Sequence, residues 1–257
     1  MDSRDQKLGI TVTELRKDCL FEPPVPEVSG SSIHIWQFPL ALSGTSLNDF
    51  TALLSEDERA RRSRFRFEKD ARSFTVARAS VRSILGGYIG SRGHDLRFDY
   101  SHHGKPALSD VSNDIRFSIS HSGDLAMLAV TRGSEVGVDL ELIRDNIEID
   151  QLAARYFSEQ EGASLRKLSD GERMRAFFRC WTCKEAFLKA QGLGLSRSLG
   201  SFDVEVNPDL PARLLATRPN SEEAALWSLH DISAQDNYAA AVAWEGSISW
   251  IKIFRCC

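Results

Sequence analysis

Ile115-Arg116-Phe117-Ser118-Ile119-Ser120, then Ser122-Gly123-Asp124, then Leu125-Ala126-Met127-Leu128-Ala129-Val130-Thr131, is the stretch that decides the fold class of this chain. Two short apolar runs joined by a glycine turn read as a β-hairpin. A further short strand, Gly137–Leu142, follows them. Working outward, the preceding segment is helical: Ser55 with Glu58 makes a capping box. A second helix is expected over about Asp70–Tyr88, with Phe74, Val81, Leu85 and Tyr88 on one face and Gly86 and Gly87 weakening its end. Before it, Ile33–Leu40 has the character of a strand. After Leu142 come helical patterns over about Ile149–Leu168 and Gly171–Gln191, the second closed by Gly192 and Gly194. The tail returns to strands at Ser201–Val206, Ala224–Asp231, Tyr238–Trp244 and Ile248–Phe254. Leu96–Ser101 is one more candidate strand, and Leu96-Arg97-Phe98-Asp99 is echoed by Gly200-Ser201-Phe202-Asp203. Helices, strands, helices, strands predict an α+β chain of two halves, 31–137 and 138–257. Residues 1–30, with Pro23, Pro24 and Pro26, read as an irregular N-terminal extension.

The 257 residues are 42% hydrophobic, enough for a sizeable core. A formal net charge of −4 argues against bulk nucleic-acid binding. No apolar run reaches the roughly 20 residues that a spanning helix requires, and Met1–Lys7 is polar, unlike a secretory signal. A cytoplasmic protein without membrane or nucleic-acid partners is expected. The five cysteines (Cys19, Cys180, Cys183, Cys256, Cys257) fit a reducing compartment rather than a disulfide framework. Cys180 and Cys183 form a C-x-x-C with no second ligand pair, so a zinc or redox role is not assigned.

Several residues can carry chemistry. In Gly137-Val138-Asp139-Leu140-Glu141, residues two apart share a strand face, so Asp139 and Glu141 project together. Adjacent carboxylates repel unless protonated, solvated or bridged by a cation. An edge strand with a wet acidic face and a hard-cation site both satisfy this pattern. In the helix that contains Trp181-Thr182-Cys183-Lys184-Glu185, Glu185 and Lys189 are one turn apart. That spacing suits an exposed ion pair as well as a functional one. Lys184 falls on the apolar arc and needs a partner. His121 stands at a strand end beside Ser120 and Ser122, where it offers donors to a phosphate or makes a local turn bond. No G-x-S-x-G elbow accompanies it. His103-Gly104-Lys105-Pro106 is a turn presenting one lysine. Arg59, Arg61, Arg62, Arg64 and Arg66 surround a helix that is either solvated or a polyanion site.

Taken in order, Gly104-Lys105-Pro106, Phe117–Gly123, Gly137–Glu141 and Trp181–Lys189 resemble the phosphopantetheinyl transferase superfamily. The likeness is to its long, monomeric, surfactin-synthetase-activating branch, and it runs from about Leu53 to Trp244. The resemblance implies two similar α+β halves in a pseudo-twofold arrangement with the active site between them. It implies transfer of 4′-phosphopantetheine from coenzyme A to a serine of an acyl or peptidyl carrier protein, releasing 3′,5′-ADP. Mg²⁺ would bridge Asp139, Glu141 and Glu185 to the pyrophosphate, and Glu185 would also be the base. Lys189, Ser120 and His121 would meet phosphates, and His103, Gly104 and Lys105 the adenine nucleotide. Arg61 would meet the 3′-phosphate, and Lys184 is left structural or electrostatic. The carrier would dock near Arg144–Phe157, where Ile147, Ile149, Leu152, Tyr156 and Phe157 offer either an apolar patch or core residues.

Three positions depart from the family pattern. Ser118 stands where asparagine is frequent and His103 where tyrosine is frequent, and the N-terminal extension has no assigned counterpart. Two other functions use the same residues. A Mg²⁺-dependent hydrolase of coenzyme A or a related nucleotide would put water in place of the serine. A retired relative would bind carriers without catalysis, though it would be expected to lose at least one of Asp139, Glu141, Glu185 and Lys189.

Overall fold

Two long helices and the two sheets that they cover set the architecture. A computed structural model describes residues 8–41, 47–110 and 113–256. In chain order the strands and helices are β1 (Gly9–Leu15), β2 (Ser32–Pro39), α1 (Leu47–Leu53), α2 (Glu56–Arg62) and α3 (Glu68–Ile89), then β3 (Phe98–Tyr100), β4 (Pro106–Leu108), β5 (Ile115–Ser122), β6 (Leu125–Arg132) and β7 (Val136–Leu142). The second half continues with α4 (Ile149–Tyr156), α5 (Glu159–Leu165), α6 (Asp170–Gln191), β8 (Phe202–Val204), β9 (Leu214–Thr217), β10 (Trp227–Asp231), β11 (Tyr238–Glu245) and β12 (Trp250–Cys256). None of the helices is long and apolar enough to cross a membrane.

A five-stranded sheet runs β1-β12-β2-β6-β5, and a three-stranded sheet runs β10-β11-β7. Strand alternation explains how they stack. On β6, Leu125, Met127 and Ala129 face one core, and Ala126, Leu128 and Val130 face another. The first set packs with Ile33, Ile35, Ile251 and Ile253 against Val136, Val138, Leu140 and Val242 of the smaller sheet. The second set packs under α3, on Val76, Val81, Ile84 and Leu85. The outer face of the smaller sheet, Ala241 and Ala243, is covered by α6 through Phe187 and Ala190. The layers are therefore α3, five-stranded sheet, three-stranded sheet, α6. Two similar α+β halves meet sheet to sheet, and the echoed Phe-Asp segments open the small hairpins β3–β4 and β8–β9.

Several expectations are corrected. The extension 1–30 is not wholly irregular: Gly9–Leu15 pairs in parallel with β12, as its β-branched alternation (Ile10, Thr11, Val12, Thr13) allows. Residues 1–7 lie outside the described residues. The second half, 138–257, gives its last strand to the first sheet, where β12 lies between β1 and β2. The helix expected over Ile149–Leu168 is two helices, because Ser158 and Glu161 form a capping box that starts a new one. The helix started by Ser55 stops at Arg62, so Arg64 and Arg66 are not on it.

Where β5 meets β7 the two sheets do not share a backbone ladder. Instead the hydroxyls of Ser118, Ser120 and Ser122 accept the amide hydrogens of Val138, Leu140 and Leu142 at 3.1, 3.3 and 3.1 Å. Each is a donor on the open edge of β7, which would otherwise need water or another strand. The seam between the halves is thus sewn by every second side chain of β5.

Candidate active site

α6 lies unusually close to β7. A Cβ on Gly137 would fall 2.0 Å from the carbonyl oxygen of Ala186 and 2.3 Å from the nitrogen of Ala190. Only glycine fits there, and the helix opposite it presents two alanines. The same approach brings Glu185 and Lys189 onto Asp139, two residues along the strand from Gly137.

Asp139 is buried, at 3% exposure. Its Oδ1 accepts from the Lys189 Nζ at 2.7 Å and from the Ser120 hydroxyl at 2.9 Å. Lys189 also donates to Ser120 at 2.9 Å. Oδ2 of Asp139 is buried without a hydrogen-bond partner among the described residues. A carboxylate oxygen left bare in a protein interior is costly unless something positive meets it. Glu141 lies on the same strand face, and its Oε2 accepts from the Ser122 hydroxyl at 2.9 Å. Burial pushes the Glu141 carboxyl above its ordinary range; Ser122 opposes this and the charge of Asp139 adds to it. Burial likewise raises Glu185, helped by the charges of Asp139 and Glu141 and opposed by Lys189. Three carboxylates from two elements therefore feel one another's charge. No three His, Cys, Asp or Glu side chains among the described residues converge on a point as they stand. The set matches a hard cation in donor chemistry and in its bare oxygen, but loading requires side chains to turn inward.

Lys105 lies at the far end of α6. Its Nζ donates to Glu135 at 2.6 Å and to the Ala190 carbonyl at 2.7 Å. His103, Gly104, Lys105, Ser118 and Lys189 line one cleft of about 280 Å³, so the glycine-lysine turn and the motif helix share a cavity. Ser120 is buried between β5 and β7, and His121 is exposed beside it. Arg61 is not drawn into this group: it is exposed on α2, its guanidinium stacked on Phe74. A larger cavity, about 1140 Å³, lies elsewhere, around Glu58, Arg78 and Arg82. Three of its charged lining residues are matched to one another, Arg78 and Arg82 both holding Glu58.

Lys184 is fully buried and takes no part in the cleft. It pairs with Glu161 at 2.8 Å, donates to the carbonyls of Leu199 and Phe202, and stands over the Phe202 ring. Its motif position is structural. Cys180 and Cys183 lie in the same core, with burial holding both thiols protonated. In the segment 144–157, Ile147, Ile149, Leu152 and Tyr156 are half-buried against the core and Phe157 is buried. The side chains turned outward there include Arg144, Glu148, Asp150 and Arg155. Sequence reasoning missed three contributors: Gly137 as the point of close approach, Glu135 as the partner of Lys105, and the serine seam. The alternation Ser118, Ser120, Ser122 was the available signal for the last.

Residues 135–243 match the family model described as the 4′-phosphopantetheinyl transferase superfamily. Residues 43–133 match the one described as 4′-phosphopantetheinyl transferase, N-terminal. The chain is 39% identical to the 4′-phosphopantetheinyl transferase HetI of a Nostoc species, over 90% of this chain and 95% of that one. It is 32% identical to the 4′-phosphopantetheinyl transferase Sfp of Bacillus subtilis, over 62% and 70% respectively. Among solved structures, the holo-[acyl-carrier-protein] synthase of Neisseria meningitidis overlays with a TM-score of 0.36 at 17% identity, over 44% of this chain and 98% of that one.

Proposed function

The chain belongs to the 4′-phosphopantetheinyl transferase superfamily, in its surfactin-synthetase-activating branch, and from that premise we propose that it moves phosphopantetheine from coenzyme A to a carrier-protein serine with Mg²⁺ and releases 3′,5′-ADP. The observation that carries the cation is the bare, buried Oδ2 of Asp139 beside two carboxylates that burial and neighbouring negative charge push above their ordinary range. Asp139, Glu141 and Glu185 would hold it. When bound, Mg²⁺ neutralises pyrophosphate charge and fixes its orientation.

The chain's own residues supply the rest. Glu185 takes the proton of the attacking serine hydroxyl, directly or through water. Lys189, already between Asp139 and Ser120, meets the phosphate that departs with the nucleotide. His121 donates to a phosphate oxygen, Ser120 meets one by turning its hydroxyl hydrogen away from Asp139, and His103, Gly104 and Lys105 form the nucleotide wall of the shared cleft. Arg61 meets the 3′-phosphate by leaving its stack on Phe74. The reaction is a phosphoryl transfer, so positioning and charge neutralisation dominate. A carrier docks along 144–157 through its outward charged side chains, and the chain acts as a monomer in the cytoplasm.

The test is incubation with coenzyme A, Mg²⁺ and a panel of apo carrier proteins, read by intact mass. One carrier should gain a phosphopantetheinyl group in equal amount to the 3′,5′-ADP formed, and Asp139→Ala should abolish that gain while remaining folded. Consumption of coenzyme A with no carrier gaining mass would replace transfer by hydrolysis.

A further inference from the structure

We infer that Ser122 is a positioning residue for the transfer reaction, orienting Glu141 for the cation; this rests on the cation site proposed above. Among the described residues it is the one side chain that hydrogen-bonds Glu141, donating to Oε2 at 2.9 Å. Its direction is fixed by its other bond. The Ser122 oxygen accepts the Leu142 amide hydrogen at 3.1 Å, so its single hydrogen is committed to the carboxylate. One oxygen of Glu141 is tethered, and the other is left to a ligand.

The tether is itself held. Ser122 is the last residue of β5, and the turn after it depends on Gly123 at φ +56°, a left-handed conformation that side chains rarely adopt. A Cβ there would lie 2.7 Å from the Tyr238 hydroxyl. That hydroxyl accepts the Asp124 amide hydrogen at 3.3 Å, and Tyr238 is the ladder partner of Leu142. Hairpin tip, β7 and β11 are thereby joined around Glu141. Outer groups that orient a metal ligand are commonly needed for affinity nearly as much as the ligand itself.

Ser118 provides the control. It makes the same seam bond, to Val138 at 3.1 Å, with no carboxylate attached. Binding of Mn²⁺, a paramagnetic substitute for Mg²⁺, can be followed by electron paramagnetic resonance in the full chain. Ser122→Ala should weaken it about tenfold, whereas Ser122→Thr and Ser118→Ala should change it by no more than about twofold. Ser122→Ala should lower the melting temperature at least as much as Ser118→Ala, since both lose a seam bond and Ser122→Ala also loses the bond to Glu141. Transfer by Ser122→Ala should recover at saturating Mg²⁺. Equal Mn²⁺ affinity in wild type and Ser122→Ala overturns the positioning role and leaves the transferase reading intact. Failure of the wild type to bind Mn²⁺ overturns the cation site, and the positioning role with it.

Discussion

One absent methyl group governs the contact between strand and helix at the candidate site. With the Ala186 carbonyl oxygen 2.0 Å from where a Cβ on residue 137 would sit, and the Ala190 nitrogen at 2.3 Å, Gly137→Ala has no room. Both obstacles are helix backbone, so relief comes only by moving α6 off β7. Overpacking of this kind costs about 1–3 kcal/mol. The catalytic effect should be the larger one, because the same displacement carries Glu185 and Lys189 away from Asp139. Lys189 reaches Asp139 at 2.7 Å, and a shift of about 1 Å in a positioned group can cost on the order of a hundredfold in rate. Gly137→Ala should therefore remain folded, with a modestly lower melting temperature, and lose at least about tenfold in turnover. A variant with normal turnover in a carrier-labelling assay would mean that helix and strand do not set the distances that matter.

At the scale of elements, α3 and α6 are each 22 residues long, and each uses its fifteenth residue as a buried cation. On α3 this is Arg82, which holds Glu58 at 2.6 Å and donates to the carbonyls of Gly93 and Leu96. On α6 it is Lys184, which holds Glu161 at 2.8 Å and donates to the carbonyls of Leu199 and Phe202. Both glutamates close the capping box of the short helix before, and both cations lie over a phenylalanine, Phe98 or Phe202. Removing one partner of such a pair leaves a buried charge unmatched, at about 3–5 kcal/mol. Lys184→Met should therefore lower the denaturant midpoint sharply, and Glu161→Gln combined with it should recover a large part of the loss. If the double variant were no more stable than the single, Lys184 would be acting on something other than Glu161. Much at this scale was legible: the capping box at Ser55, the hairpin, the carboxylate strand and the motif helix all follow from local periodicity and caps. What was not legible depends on partners remote in sequence. β1 is a strand because β12 lies beside it. The seam exists because β7 has an open edge. Lys184 could be placed on an apolar arc, yet its buried acid sits in a helix whose cap went unread.

Across the whole molecule, four layers leave the five-stranded sheet covered on both faces, and a histidine is caught in that interior. His34 on β2 is fully buried between the sheet and α3, its ring against Tyr88 and Phe254. The Tyr88 oxygen accepts from the Trp36 indole at 3.0 Å, so its own hydrogen is free for His34 Nδ1 at 2.7 Å. Nδ1 is then an acceptor, and the neutral ring carries its hydrogen on Nε2, which has no partner among the described residues. Protonation would place a second hydrogen where Tyr88 already donates. Burial, with the charge of Lys252 adding, lowers the pKa from 6.5 to about 4. The sign follows. Above pH 6.5 neither the folded nor the unfolded chain protonates this ring, and stability is at its full value. Between 6.5 and about 4 the unfolded chain takes up the proton and the folded one resists, so stability falls as the pH falls. Between pH 7.5 and 5 this single group should remove about 2 kcal/mol. His121 and His230 are lowered in the same direction, so the measurement must be a difference between wild type and a His34 variant. His34→Gln keeps an acceptor for Tyr88 and does not titrate. Urea unfolding at the two pH values should show the wild type losing about 2 kcal/mol more than His34→Gln. Parallel losses in the two proteins would mean that the ring is protonated in the folded chain as readily as in the unfolded one, and that the layers do not seal this interior.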